Sequence, residues 1–413
     1  MPSPSQPAKR DLRIDFFRGL ALIFIFIDHS PGNALSAVTL HSFGFSDAAE
    51  VFVLLAGYSA VLAYGGKLAA DDPAPGVEKV GLRVWQIYLW HLACLAAAII
   101  VLFAASHAFG TDRYTGGIGV ERFATDPAVA ILSAALLILQ TNLFNILPRY
   151  NILMTAFPMI FLLLRHNLRL GLAVSAAIWL MSGWLNLPLA GGDKTWFFNP
   201  FAWQLVMAIG AAAAIAVRRG QLQRSQPLLL CLAVAYVVAA LLYAAPWARI
   251  TGLETLGPLP ADLLGKIDKT NVSVWRVAHV IALGYIAYSV IAPRAAWLQG
   301  SLARSVSRLG RHSLEIFSLG ILLSLLGWIA FEEAGTHWPV QVAVNVVGVG
   351  VMGFAGWWLS ERQKAADRVR DRMHASSVAG RASSSRLSSP WRLRLLPASA
   401  RRDLLIAARR PRS

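Results

Sequence analysis

The sequence predicts an all-α integral membrane protein, a bundle of about ten transmembrane helices, from its composition, the spacing of its apolar blocks and the placement of its arginines. Of 413 residues, 56% are hydrophobic and 15% are charged, whereas soluble globular domains carry about 25% charged residues. The apolar residues gather into blocks of about 17 to 25, separated by short polar connectors, and that length crosses a hydrocarbon core of ~30 Å. A single soluble core has no need of such blocks.

The blocks run near 16–30, 48–64, 82–105, 127–145, 150–164, 170–187, 201–217, 227–245, 274–292, 313–331 and 340–360. Short-loop arginines decide which of them cross, because cytoplasmic loops collect Lys and Arg. If every block crossed, most of Arg165, Arg169, Arg218, Arg219, Arg224, Arg304, Arg308 and Arg311 would face outward. If the block at 127–145 stays on the outer side as a re-entrant or interfacial pair of short helices, all of them return to the cytoplasm. Its polar end, with Gln140, Thr141, Asn142, Asn145 and Pro148, suits a segment sheltered by protein. The expected topology is therefore ten spans in a bacterial inner membrane, with both termini cytoplasmic.

Lys9, Arg10 and Arg13 precede the first apolar run as in a signal peptide. Asp15 and Arg18 within it, and the lack of a convincing A-x-A site, favour an uncleaved first helix. Three regions follow: a cytoplasmic segment 1–13, a transmembrane domain 14–360 and a basic tail 361–413. The net charge of +16 does not mark a nucleic-acid binder, since the tail alone holds 14 Lys and Arg against 4 Asp and Glu. The tail has little to bury and reads as disordered, either solvated or held to anionic headgroups of membrane lipid. Cys94 and Cys231 lie alone in apolar segments, which supports neither a disulfide framework nor a cysteine metal site. Two long outer loops, 106–126 and 246–273, carry Asp112, Glu254, Asp262 and Asp268.

Ionisable groups at membrane depth are costly and mark function by default. The first helix concentrates them, with Asp15 and Arg18 near its start and Asp28 and His29 at its end. Arg18 and His29 are eleven residues apart, so they share one helix face about 16 Å apart along the axis. A cytoplasmic anchor for Arg18 and an interfacial side chain for His29 are the plainer alternatives. The second helix opens with Asp47 and Glu50, neighbours at i, i+3, which the short connector brings toward Asp28 and His29. Asp47 also fits an N-cap. Lys79 and Arg83 at the start of the third span suit either an anionic ligand or an anchor. His91 reads as a buried, hydrogen-bonded histidine, and His166, Arg311 and His312 as inner-loop residues. Asn199, Trp203 and Gln204 could meet a sugar by stacking and hydrogen bonding, although an aromatic belt explains Trp203 almost as well.

The Arg18/His29 spacing, followed by Phe52-Val53-Leu54-Leu55-Ala56-Gly57-Tyr58, resembles the membrane acyltransferase-3 superfamily and, within it, the OpgC type. The closest stretches are Asp15–Gly19, Asp28–Gly32, Phe45–Tyr58, Leu147–Pro158, Asn199–Gly210 and Gly310–Phe317, in order over residues 10 to 360. The resemblance implies transfer of an acyl group, succinyl in the OpgC type, from cytoplasmic acyl-CoA to a hydroxyl of a periplasmic glycan such as an osmoregulated glucan. It makes Arg18 and His29 the essential pair, with Asp47 and Glu50 near the site, acyl-CoA as a substrate and no bound cofactor or metal. One departure stands out: the superfamily's R-x-x-R on the third span reads Arg83-Val84-Trp85-Gln86 here.

The expected mechanism is general-base catalysis by His29 on a glycan hydroxyl, with Asp28 or Glu50 orienting the imidazole and Arg18 contacting the donor's phosphates or acyl carboxylate. Asp15, Asp47, Arg83, Trp203 and Gln204 complete the expected substrate-binding set. Direct transfer and an acyl-enzyme route both satisfy this arrangement. The alternative is a transporter or flippase that uses the same charges as a proton and substrate path; the absence of an obvious repeat between the halves disfavours it.

Overall fold

The computed structural model describes residues 11–139, 141, 143–185, 198–224, 226–249, 264, 265 and 267–387. Among them there are helices and turns and no strand. Seven helices are long and apolar enough to cross a membrane: α2 (Ala48–Leu68), α3 (Ala74–Phe109), α7 (Ile146–His166), α10 (Pro200–Arg218), α11 (Pro227–Ala244), α14 (Ser313–Ala334) and α15 (Trp338–Leu387). Two shorter helices are likewise apolar, α8 (Leu168–Leu180) and α12 (Val274–Val290), whereas the seventeen residues of α1 (Leu12–Asp28) include Arg13, Asp15, Arg18 and Asp28.

The block at 127–145 differs from its sequence pattern. Among its described residues only Pro127–Ala135 is helical, as α6, and nine residues rise about 13 Å, too little for a crossing. Leu137 breaks the helix in the left-handed region, with φ 58°. Of the polar cluster beyond it, Gln140 and Asn142 lie outside the described residues. The loop 106–126 holds two short helices, α4 (Arg113–Ile118) and α5 (Arg122–Thr125), and α9 (Ser182–Leu185) follows α8. Glu254 and Asp262 of the second long loop also lie outside the described residues.

A further correction concerns Arg304, Arg308 and Arg311, read as loop residues. They belong to an amphipathic helix, α13 (Ser301–Arg311), that packs along the start of α1. Glycines set this contact. A Cβ on Gly19 would lie 2.0 Å from the Val306 carbonyl oxygen, and one on Gly310 would lie 1.9 Å from that of Asp15. The crossing of α2 and α10 is built the same way, with Gly57 against the Met207 carbonyl and Gly210 against that of Leu54. Small residues at crossings are how apolar helices gain packing in a solvent that gives no hydrophobic drive. These two crossings hold the start of α1 and the middle of α2 in fixed positions.

Residues 358 onward form a separate unit. Its described part continues α15 in helical form to Leu387, where the sequence suggested an irregular tail. Arg362 lies 4.5 Å from the Trp358 ring centroid, and Glu361–Lys364 and Asp367–Arg370 pair at i, i+3.

Candidate active site

The candidate site forms where α1 ends and α2 begins. Asp11 caps α1 by accepting from the Arg13 backbone at 3.0 Å, and His29 terminates the helix with its N–H on the Ile25 carbonyl. The connector that follows contains two 3₁₀ turns, Ala34–Val38 and Leu40–Ser42. It is clamped by α15: the Asn33 and Asn345 amides exchange hydrogen bonds at 3.0 Å, and Gln341 accepts from Ala34 N–H and donates to the Gly32 carbonyl. An irregular segment tied in this way at its start holds the polar groups there at fixed positions.

The His29 ring is fixed by its own helix. Nδ1 lies 2.9 Å from the Ile25 carbonyl oxygen. A carbonyl only accepts, so Nδ1 carries the proton and Nε2 keeps its lone pair. Nε2 has no hydrogen-bond partner among the described residues. This corrects the expectation that Asp28 or Glu50 orients the imidazole. Asp28 instead accepts from Thr39 Oγ1 at 2.5 Å and from His41 Nδ1 at 3.2 Å. Burial, and then the Lys269 ammonium, hold the His29 imidazole below its ordinary value.

Glu50 is fully buried, and its charge is compensated from the distant helix α12. Arg276 Nε and a terminal nitrogen sit 2.7 and 2.6 Å from Glu50 Oε1, while Oε2 accepts the Asp47 N–H at 2.9 Å. Asp47 caps Ala49 N–H at 2.8 Å and pairs with Lys269 at 2.6 Å and with Arg276 at 3.1 Å. Burial raises the Asp47 carboxyl, but Lys269 and Arg276 outweigh it and hold it below the usual carboxylate range. Asp47 and Glu50 therefore form a capping box and, with Lys269 and Arg276, a quartet of two negative and two positive charges. The sequence reading missed both cations. The one signal for Arg276 was a charge at the third position of an apolar block; Lys269 had none.

About three turns along α1, the Arg18 guanidinium bonds the Ser313 hydroxyl of α14 and reaches Ser59 Oγ of α2 at 3.4 Å, 5.9 Å from the Phe52 ring centroid. Between the two ends lies a narrow crevice walled by Ile25, Phe52, Tyr150, Phe198 and Trp203, with the buried Arg149 beside it. Phe52 touches this crevice on one side and Arg18 on the other. The geometry can thus hold an anionic group near Arg18 and a proton acceptor at His29, with a small apolar crevice beside the helix between them.

Residues 10–364 match the family described as OpgC protein. The chain belongs to the OpgC family. At that level it is a membrane transferase of glucan modification. No curated protein and no solved structure matches it.

The remaining residues singled out in this OpgC chain divide by location. Asp15 is buried and pairs with Arg311 of α13 at 3.3 Å, so it joins two helices at their close approach. Arg83 donates to Gln86 on its own helix at 2.7 Å, and Lys79 stands 5.7 Å from the Tyr64 ring centroid. The expectation that Trp203 and Gln204 present themselves to a sugar is corrected. Trp203 is 2% exposed and packs edge-on against Phe198, and the Gln204 amide donates to the Ser175 and Phe201 carbonyls. Asn199 likewise joins Ser182 to Asn271. These residues tie α10 into the bundle. His91 is buried as expected, with Nδ1 lacking a partner among the described residues.

Proposed function

We propose that this OpgC-family protein, a member of the acyltransferase-3 superfamily, transfers a succinyl group from cytoplasmic succinyl-CoA to a hydroxyl of a periplasmic glucan. The observation that carries the reading is the His29 ring: its proton is committed to the Ile25 carbonyl, so Nε2 is the base, and Arg18 shares its helix face at the other end of an apolar crevice. Counting α1, α8 and α12 with the seven longer helices makes ten spans. An even number leaves both termini on one side, and the arginines of the short loops support the cytoplasmic side of a bacterial inner membrane, with Arg18 toward the donor and His29 toward the acceptor.

In the reaction, Nε2 of His29 takes the proton of the glucan hydroxyl as its oxygen attacks the thioester carbonyl carbon. The C–S bond then breaks, the CoA sulfur leaves with its electron pair, and the imidazolium returns the proton to it. Arg18 binds a donor phosphate, which suits a planar guanidinium and lies at the far end of the donor's long arm from the thioester. The quartet around Glu50 holds the mouth of the site rigid.

The test is incubation of the purified protein with succinyl-CoA labelled in its acyl group and a glucan acceptor. Label in the glucan, lost in His29→Gln, supports the reading. Movement of glucan or donor across a vesicle membrane with no ester formed would establish the transporter in its place.

A further inference from the structure

A groove of about 650 Å³ opens between α1, α2, α10 and α12. On α1 it is lined by Ile14, Phe17, Leu20, Ala21 and Phe24, a face that excludes Arg18 and His29. A nearly wholly apolar wall suits neither a glucan nor a succinyl carboxylate, each of which would forfeit its hydration there. The groove shares no lining residue with the crevice between Arg18 and His29.

Its chemistry changes along its length. At one end lie Arg13, Leu222, Tyr288 and Ile291. The guanidiniums of Arg13 and Arg224 both stand over the Tyr288 ring, at 5.3 and 5.9 Å, and both donate to the Tyr288 and Ile291 carbonyls that end α12. Asp11 neutralises Arg13 at 2.6 Å, whereas no carboxylate among the described residues pairs with Arg224. Three residues deeper, about 4.5 Å along α12, Tyr285 lines the groove with a buried hydroxyl that has no partner among the described residues. Beyond it the wall is apolar, through Leu54, Ile209 and Val280. The α1 stretch from Arg13 to Phe24 rises about 16 Å, roughly one leaflet of a ~30 Å hydrocarbon core.

We propose that the groove is a binding site for one anionic phospholipid of the surrounding bilayer, with its phosphate at Arg224, an ester carbonyl accepting from the Tyr285 hydroxyl and an acyl chain along α1 and α2. The order of cation, lone donor and apolar trough is the order of groups along such a lipid. A zwitterionic lipid brings its own cation to Arg224 and fits less well.

The test uses the full-length protein, delipidated in detergent and titrated with phosphatidylglycerol or phosphatidylcholine under native mass spectrometry. Wild type should retain one phosphatidylglycerol about fivefold or more in preference to phosphatidylcholine, and Arg224→Ala should erase the preference. Because Arg224 also caps α12, Tyr285→Phe is the variant that leaves the fold untouched; it should weaken retention roughly two- to tenfold with an unchanged melting temperature. Ala213→Trp should fill the trough and expel both lipids. Arg224 stands behind the lining residues Tyr288 and Ile291, so Arg218→Ala, a nearby cation without that contact, should change nothing. Equal retention of the two lipids overturns the proposal, as does a preference that survives Arg224→Ala and Tyr285→Phe. Equal losses in Arg218→Ala and Arg224→Ala would show a diffuse basic surface in place of a site.

Discussion

The two faces of α1 serve opposite solvents. One carries Arg18 and His29, each tied to a defined polar partner, Ser313 and Ser59 for the first and the Ile25 carbonyl for the second. The other, from Ile14 to Phe24, is wholly apolar and lines a groove. A seventeen-residue helix can do both because 3.6 residues per turn keep i, i+3 and i+4 positions on one side. The lesson is that burial on this helix is selective: its polar groups lie where a partner is fixed, and its groove face is apolar.

The largest expected effect breaks the polar face at its outer end. His29→Gln should lower acyl transfer about 10²- to 10⁴-fold, the usual contribution of a general base, with expression and elution unchanged. The neutral imidazole is the active form, so wild-type activity should fall as pH drops through its pKa. Burial and Lys269 lower that pKa, which places the fall below the ordinary value of about 6.5. A flat profile through the acid range, or near-normal turnover of His29→Gln, would move the base to another residue.

Next in size is the charge quartet that supports this face from α2. Glu50→Gln leaves the buried Arg276 with only Asp47, which it shares with Lys269, and removing one partner of a buried ion pair costs about 3–5 kcal/mol. The yield of folded protein and its melting temperature in detergent should both drop sharply. Full stability in this variant would mean that the quartet is solvated.

A smaller effect is expected where packing alone positions the helices. Gly210→Ala forces a Cβ against the Leu54 carbonyl oxygen and should destabilise by about 1–3 kcal/mol through backbone shifts, read as a lower melting temperature. Arg18→Lys comes last. It keeps the charge and loses the planar fork, so turnover should fall about tenfold, the equivalent of one charge-assisted hydrogen bond. Stability should change little, because the lysine can still reach a hydroxyl. Unchanged turnover would make Arg18 an anchor. If any of these polar-face variants altered lipid retention, or a groove variant such as Ala213→Trp abolished transfer, the separation of the two faces would fail.

Much of this was legible in the chain itself. The blocks near 48–64, 201–217 and 313–331 appear as α2, α10 and α14 because apolar runs of that length have few other ways to satisfy their backbone in hydrocarbon. Asp47 fitted an N-cap by sequence and is one, with Glu50 completing a capping box, and the shared face of Arg18 and His29 followed from helical spacing alone. Such features depend on neighbours within about one turn to three turns.

Tertiary structure decided everything that required knowing which distant segments meet. Lys269 and Arg276 reach Asp47 and Glu50 only because α12 packs beside α2, more than two hundred residues along the chain. Trp203 and Gln204 could face either an aqueous cleft or a neighbouring helix by sequence; the Ser175 carbonyl and the Phe198 ring chose the latter. Asp28 found Thr39 and His41 instead of His29, because the 3₁₀ connector folds back over the end of α1. Residues 301–311 formed a helix against α1 because Gly19 and Gly310 allow backbone contact, which hydropathy does not register. Local periodicity determined the helices and their faces. The partner of each buried charge was settled by packing, because a charge out of water takes whichever opposite charge the fold brings within reach.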